Sequence, residues 1–133
     1  MKSVFIGANK LKLYKTYSRS CVGYGGTQHA LMRINEHEKI GFFNLGGEYD
    51  NRLTKKRFIL NPRDDLNNDH LIDELNRCTT YLFLRKGNRG LYYYVGYSKK
   101  ATRHDATHLL LELCPKVIPA AIVNLLGGYQ PLP

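Results

Sequence analysis

Apolar and polar positions alternate along most of this chain, which is the period of a half-buried strand. Ser3 to Gly7 and Leu11 to Tyr17 read as strands. In the second, Leu11, Leu13 and Lys15 or Tyr17 share one face, and Lys10, Lys12 and Tyr14 take the other. A glycine-punctuated loop follows from Ser18 to Thr27. His29 to Asn35 is short and flanked by glycine, so it reads as strand rather than helix. Lys39 to Leu45 is a strand, and Gly46-Gly47 starts a turn that runs to Asn51. Arg52 to Leu60 is a basic strand or strand-like arm carrying Lys55, Lys56 and Arg57.

Asn61 to Asp65 is a loop. Asn67, Asn68 or Asp69 caps a short helix running through Cys78, with Leu71, Ile72 and Leu75 as its apolar face. Thr79 to Arg85 and Leu91 to Tyr97 are β-rich runs joined by Lys86-Gly87-Asn88-Arg89-Gly90, a hairpin with a basic tip. Alternation sets Tyr81, Phe83 and Arg85 against Leu82 and Leu84. From about Thr102 the spacing of Ala106, Leu109, Leu110 and Leu113 predicts a helix stopped by Pro115. Pro119 opens a second short helix that ends at Gly127-Gly128. These elements predict a single α+β domain over residues 1–133. Its architecture is a curved antiparallel sheet or half-open β-barrel with two or three helices, mainly C-terminal.

Composition changes this picture by pointing to a partner. The 133 residues include 20 Lys and Arg against 11 Asp and Glu, a formal net charge of +9. With 43% hydrophobic residues the chain can bury a core, so it is not a disordered basic tail. Ten tyrosines are present, and the densest run of them lies between basic clusters, from Arg85 to Lys100 with Arg103 just after. Cations neutralise phosphate and aromatic faces stack on bases, so this pattern points to nucleic acid. The three cysteines, Cys21, Cys78 and Cys114, form no CxxC pair, which excludes a zinc ribbon and fits a reducing cytoplasmic or nuclear compartment. Met1 to Gly7 is too short an apolar run for a signal peptide. Val117 to Leu126, interrupted by Pro119 and Asn124, is too short to span a membrane.

Two motifs fall short of chemistry. Val22-Gly23-Tyr24-Gly25-Gly26-Thr27 has the glycines of a phosphate-cradling loop but lacks the lysine-serine/threonine ending. It is read as a loop presenting Tyr24, Thr27 and Gln28 to a ligand, Gln28 being suited to an adenine edge. His104 and His108 stand at i and i+4 on the predicted helix, a metal-ligand spacing, but Asp105 replaces the glutamate of HExxH and no third ligand is near. No metal and no cofactor is expected.

Thr80-Tyr81-Leu82-Phe83-Leu84, Tyr94-Val95-Gly96-Tyr97-Ser98, Arg103 and His108 together resemble the opening of a GIY-YIG nuclease. That resemblance implies a metal-dependent nuclease using Tyr81, Tyr94, Arg103 and His108. Arg103 stands one position early, the first motif lacks its glycine, and Glu112 falls on the wrong helix to be the metal-binding glutamate. The hairpin pairing an Arg-Lys-ended apolar strand with Tyr-Tyr-Val-Gly is similar in texture to DNA-recognition pseudobarrels of restriction enzymes, the SRA-like and plant-transcription-factor-like barrels. This second resemblance implies a recognition module whose nuclease chemistry lies on a partner domain or subunit. The function expected is therefore DNA binding in a restriction or defence protein, with RNA binding as the other nucleic-acid reading. Phosphate would be met by Arg52, Lys55, Lys56, Arg57, Arg85, Lys86, Arg89, Lys99, Lys100 and Arg103. Bases would meet Tyr24, Gln28 and one face of Tyr92 to Tyr97, with Tyr92 and Tyr94 placed at the site.

Overall fold

The computed structural model describes residues 8–22, 30–47, 50–55, 57–62 and 68–130. Its strands are β1 (Thr16–Tyr17), β2 (Leu31–Arg33), β3 (Glu38–Leu45), β4 (Arg52–Thr54), β5 (Arg57–Leu60), β6 (Thr79–Lys86), β7 (Tyr92–Ser98), β8 (Ala101–Arg103) and β9 (Leu109–Glu112). Two α-helices are described, α1 (Asn68–Arg77) and α2 (Ala120–Leu125). The fold is α+β: a strongly curled, half-barrel sheet in the order β1-β7-β6-β3-β2 and a second sheet in the order β4-β5-β9-β8.

The pairing is antiparallel except at the centre of the first sheet, where β3 and β6 run parallel over eight residue pairs from Glu38↔Thr79 to Leu45↔Lys86. The curved, half-open arrangement expected from the sequence is present, with this one parallel pair inside it. A parallel pair needs a long crossover, and here β4, β5 and α1 supply it. Burial on both faces follows from that position. One face of the curled sheet gives Phe43, Leu45, Leu82, Leu84 and Val95 to a core shared with Leu53, Phe58, Leu109 and Leu111 of the second sheet, Leu75 of α1 and Val123 of α2. The other face is aromatic: Phe42, Tyr81, Phe83, Tyr92 and Tyr94 pack with Ile40, Leu11 and Val22. The alternation read from the sequence, Tyr81, Phe83 and Arg85 against Leu82 and Leu84, holds in β6, and the structure makes each face a separate core.

Several expected elements are redrawn. Leu11 to Tyr17 is not one strand: Tyr14 has φ 64, the chain turns from Lys12 to Lys15, and only Thr16–Tyr17 pair regularly. Of the expected strand His29 to Asn35, the described residues from Ala30 onward form only β2, and His29 lies outside the described residues. Arg52 to Leu60 is a hairpin rather than a single strand, with Thr54↔Arg57 closing it. The helix expected from Thr102 to Pro115 is also a hairpin, β8 and β9. Leu109, Leu111 and Leu113 are the buried set, a period of two, and a short apolar run does not distinguish that from a helical stripe. Asp105 decides the local conformation. Its Oδ1 accepts from the backbone N–H of Thr107 and of His108, both at 2.8 Å, which folds the turn between the strands. The helices α1 and α2 occur where expected, and Gly127 and Gly128 (φ 91 and 85) follow α2. The expected strand Ser3 to Gly7 lies outside the described residues, as does the N-cap region of α1 before Asn68.

Candidate nucleic-acid interface

The β6–β7 hairpin carries most of the expected ligand groups, and its register sorts them. Tyr92 and Tyr94 point into the aromatic face and are each 5% exposed. Tyr92 meets Phe42 edge-on at 4.9 Å, and Tyr94 packs on Phe83 at 5.1 Å. Burial, with Tyr97 and Tyr17 nearby, pushes the Tyr94 phenol up to about 12. The rings expected to meet bases, Tyr92 and Tyr94, are thus placed in the packing of the aromatic face: a strand in a two-sided sheet spends its large rings on packing. Arg85 is likewise committed. Its Nε donates to Asn44 Oδ1 at 2.6 Å and its guanidinium to Gly90 O at 2.9 Å, and its Cζ stands 4.2 Å from the Tyr92 ring centre. Lys86 and Arg89 are exposed at the tip.

Between Leu82 and Phe83 the register shifts, so Leu82 faces Gly96 while Phe83 faces Tyr94, leaving Val95 as the extra residue. Gly96 has φ 124, and a Cβ there would fall 2.2 Å from the Cys114 carbonyl oxygen. The bulge reverses the alternation. Tyr97 consequently joins Tyr81 on the aromatic face, half-buried and opposite it in the ladder. Simple alternation from the sequence would have placed Tyr97 with Tyr93.

After β7 the chain enters the second sheet, and this gathers cations from distant segments. Lys99 and Lys100 lie between Ser98 and Ala101. Glu112 donates its backbone N–H to Lys100 O at 3.1 Å, and Glu112 is the cross-strand partner of Arg57. Arg57 closes the β4–β5 turn that carries Lys55. Lys55, Arg57, Lys99 and Lys100 are all exposed and share one end of the molecule. Because β5, β9 and β8 are neighbours, Arg57 and the start of β8 stand about 10 Å apart. Lys99 Nζ lies 5.7 Å from the Tyr97 ring centre. Exposed Arg77, at the last turn of α1 just before β6, reaches the same end, since Thr80 pairs with Ser98. A lone basic residue at a helix end was the signal for Arg77, and it is a weak one. The hairpin tip sits at the other end of β7, roughly 20 Å away.

Arg52 belongs to neither end in a binding-ready form. Its guanidinium forks onto the Asp50 carboxylate at 2.8 and 2.7 Å, and each group holds the other charged. His108 Nε2 lies 3.2 Å from Asp50 O, and its Nδ1 lies 3.1 Å from Asp105 Oδ1 and 2.7 Å from Thr107 Oγ1. The backbone N–H of Thr107 leads the groups that hold the Asp105 carboxyl down to about 2. Arg103 is exposed at the end of β8. Tyr24, Thr27, Gln28 and Lys56 lie outside the described residues.

The nuclease set is dispersed. Arg103 and His108 stand on the β8–β9 hairpin of the second sheet rather than on a helix. Tyr81 and Tyr94 line the aromatic face of the first sheet. Sequence reasoning missed Glu38, whose carboxylate accepts from the Tyr81 hydroxyl and from Asn35 Nδ2 at 2.9 Å. Burial first and Glu38 second push the Tyr81 phenol up, so both phenols stay neutral near pH 7. Nothing in the sequence pairs Glu38 with Tyr81; only the parallel β3–β6 register does. Among the described residues no cluster of His, Cys, Asp and Glu could hold a metal. A groove of about 500 Å³ beside α2, lined by Val117, Ile118, Pro119, Val123 and Tyr129 among others, carries no charged side chain. No described helix is long and apolar enough to cross a membrane. No known protein family matches the chain, and no curated protein matches it either.

Proposed function

We propose that this protein is a nucleic-acid-binding recognition domain, acting on DNA in preference to RNA, that meets the phosphate backbone with the basic end formed by Lys55, Arg57, Lys99 and Lys100. The observation that carries this reading is the convergence of cations from the β4–β5 turn and the β7–β8 connection on one rim. Solubility alone needs net charge, not convergence. Two independently placed turns supplying exposed cations at about 10 Å span match a surface that tracks a phosphate backbone. The rest of the +9 charge adds long-range attraction. A recognition module of a restriction or defence protein, with the chemistry on a partner domain or subunit, is the biological setting this binding role fits.

The test is a gel-shift titration of duplex DNA, single-stranded DNA and duplex RNA at several salt concentrations. Four phosphate contacts give a slope of about −3 to −4 in log affinity against log salt. Replacing Lys55, Arg57, Lys99 and Lys100 together by alanine is expected to flatten that slope. An affinity for duplex DNA indifferent to salt, or unchanged in the fourfold variant, would sink the reading.

A further inference from the structure

The basic rim contains one group that phosphate binding does not explain. Glu112, the last residue of β9, sits between Arg57 on one side and Lys100 on the other. Leu109 and Leu111 face the core, so alternation puts the Glu112 side chain on the outer face, the same face as Arg57. Cross-strand partners hold their Cβ atoms about 5 Å apart. Yet among the described residues the Glu112 carboxylate has neither an ion pair nor a hydrogen bond. A half-buried carboxylate beside Arg57 and Lys100 repels phosphate, and it weakens a surface that only tracks a backbone. A carboxylate has acceptors only, so its matching ligand is a donor. On a nucleic acid the base-edge donors are the exocyclic amino groups.

We propose, resting on the nucleic-acid reading above, that Glu112 is a base-reading residue. Its carboxylate accepts a hydrogen bond from an exocyclic amino group, cytosine N4 or adenine N6 in the major groove, while Lys55, Arg57, Lys99 and Lys100 hold the flanking phosphates. The cations fix the register of the duplex on the rim, and Glu112 supplies the sequence information they lack. The repulsion it exerts on phosphate is part of the selectivity, because a site without a donor leaves the carboxylate desolvated and unpaired.

The experiment selects bound duplexes from a randomised pool with the wild-type chain, Glu112→Ala and Glu112→Gln, each checked for folding by thermal melting. Wild type is expected to enrich at least one cytosine or adenine position, by about tenfold over the other bases. Glu112→Ala should lose that preference while binding all sequences more tightly at low salt. Glu112→Gln removes the charge but keeps an acceptor, so it should gain overall affinity and retain the preferred position. Substituting inosine for guanine, which deletes the minor-groove amino group, should leave the preference intact; loss of it would overturn the major-groove assignment. Alanine and glutamine variants that both bind more tightly with the wild-type preference unchanged would overturn the proposal, leaving Glu112 as a repulsive charge only. Salt-dependent binding with no enriched position in wild type would overturn it too, while leaving the binding function standing. Absence of any DNA binding by wild type would instead remove the functional reading beneath it.

Discussion

Two side chains expected at the ligand site, Arg85 and Tyr92, make contacts that hold the fold, and the reason is geometric. Arg85 and Tyr92 follow the Leu84↔Tyr93 pair at the end of the β6–β7 ladder; the guanidinium lies on the ring and donates to Asn44 and Gly90. Asp105 acts similarly within its turn. Its carboxyl is held down to about 2, so the folded protein binds that proton less readily than the unfolded chain. Its contribution is complete above about pH 4 and drains away as pH falls toward 2. Asp105→Ala is expected to cost about 1–2 kcal/mol at pH 7 from its lost hydrogen bonds. It should also show a shallower loss of stability between pH 4 and 2, read by urea melts across that range. Gly96 is the other residue without a substitute. With φ 124 and the Cys114 carbonyl in the place of a Cβ, Gly96→Ala should destabilise by about 2–4 kcal/mol in the same assay.

Among the elements, the second sheet protects both of its edges with amides. On β8, Asn76 of α1 accepts from Ala101 N–H and donates to Ala101 O, both at 2.9 Å. On β4, Gln130 accepts from Leu53 N–H at 2.8 Å through its side chain, and its backbone N–H donates to Leu53 O at 2.9 Å. Each amide does the work of a missing strand at one residue, which blunts the edge against pairing with other chains. Asn76→Ala removes both bonds of its edge and is expected to cost about 2 kcal/mol. Asn76→Asp keeps the acceptor and loses the donor, leaving the Ala101 carbonyl beside a carboxylate. It should therefore be no more stable than the alanine variant by chemical denaturation. A fully stable aspartate variant would mean the edge is satisfied another way.

At the scale of the molecule, charge is divided between the two ends of β7. The hairpin tip offers Lys86 and Arg89, and Lys86 also lies along Gly127 after α2. The rim offers Lys55, Arg57, Lys99 and Lys100. Lys99→Ala with Lys100→Ala is therefore expected to make the salt dependence of DNA binding shallower by about 2. Lys86→Ala with Arg89→Ala should change it by less than half as much. Equal slopes for both pairs would place phosphate on the tip as well, and a larger effect at the tip would move the interface there.

What the sequence determined by itself were the features fixed by local spacing. These are β3, the β6–β7 hairpin with its basic tip, α1 with its Leu71, Ile72 and Leu75 face, α2 between Pro119 and its glycines, and the α+β class. Each is set by neighbours within about ten residues, where period and turn chemistry suffice. Tertiary structure decided the rest. Leu109 to Glu112 became a strand because β5 offered a partner ladder, which outweighed the helical spacing of the leucines. Tyr97 joined the aromatic face because a bulge at Val95 reversed the alternation. Arg57 and Glu112 became neighbours through a pairing of strands some 50 residues apart in sequence, and Lys100 joined them through the β8–β9 hairpin. Spacing along a chain records which residues share a face of one element; it carries no record of which elements will lie side by side, and that adjacency built the rim.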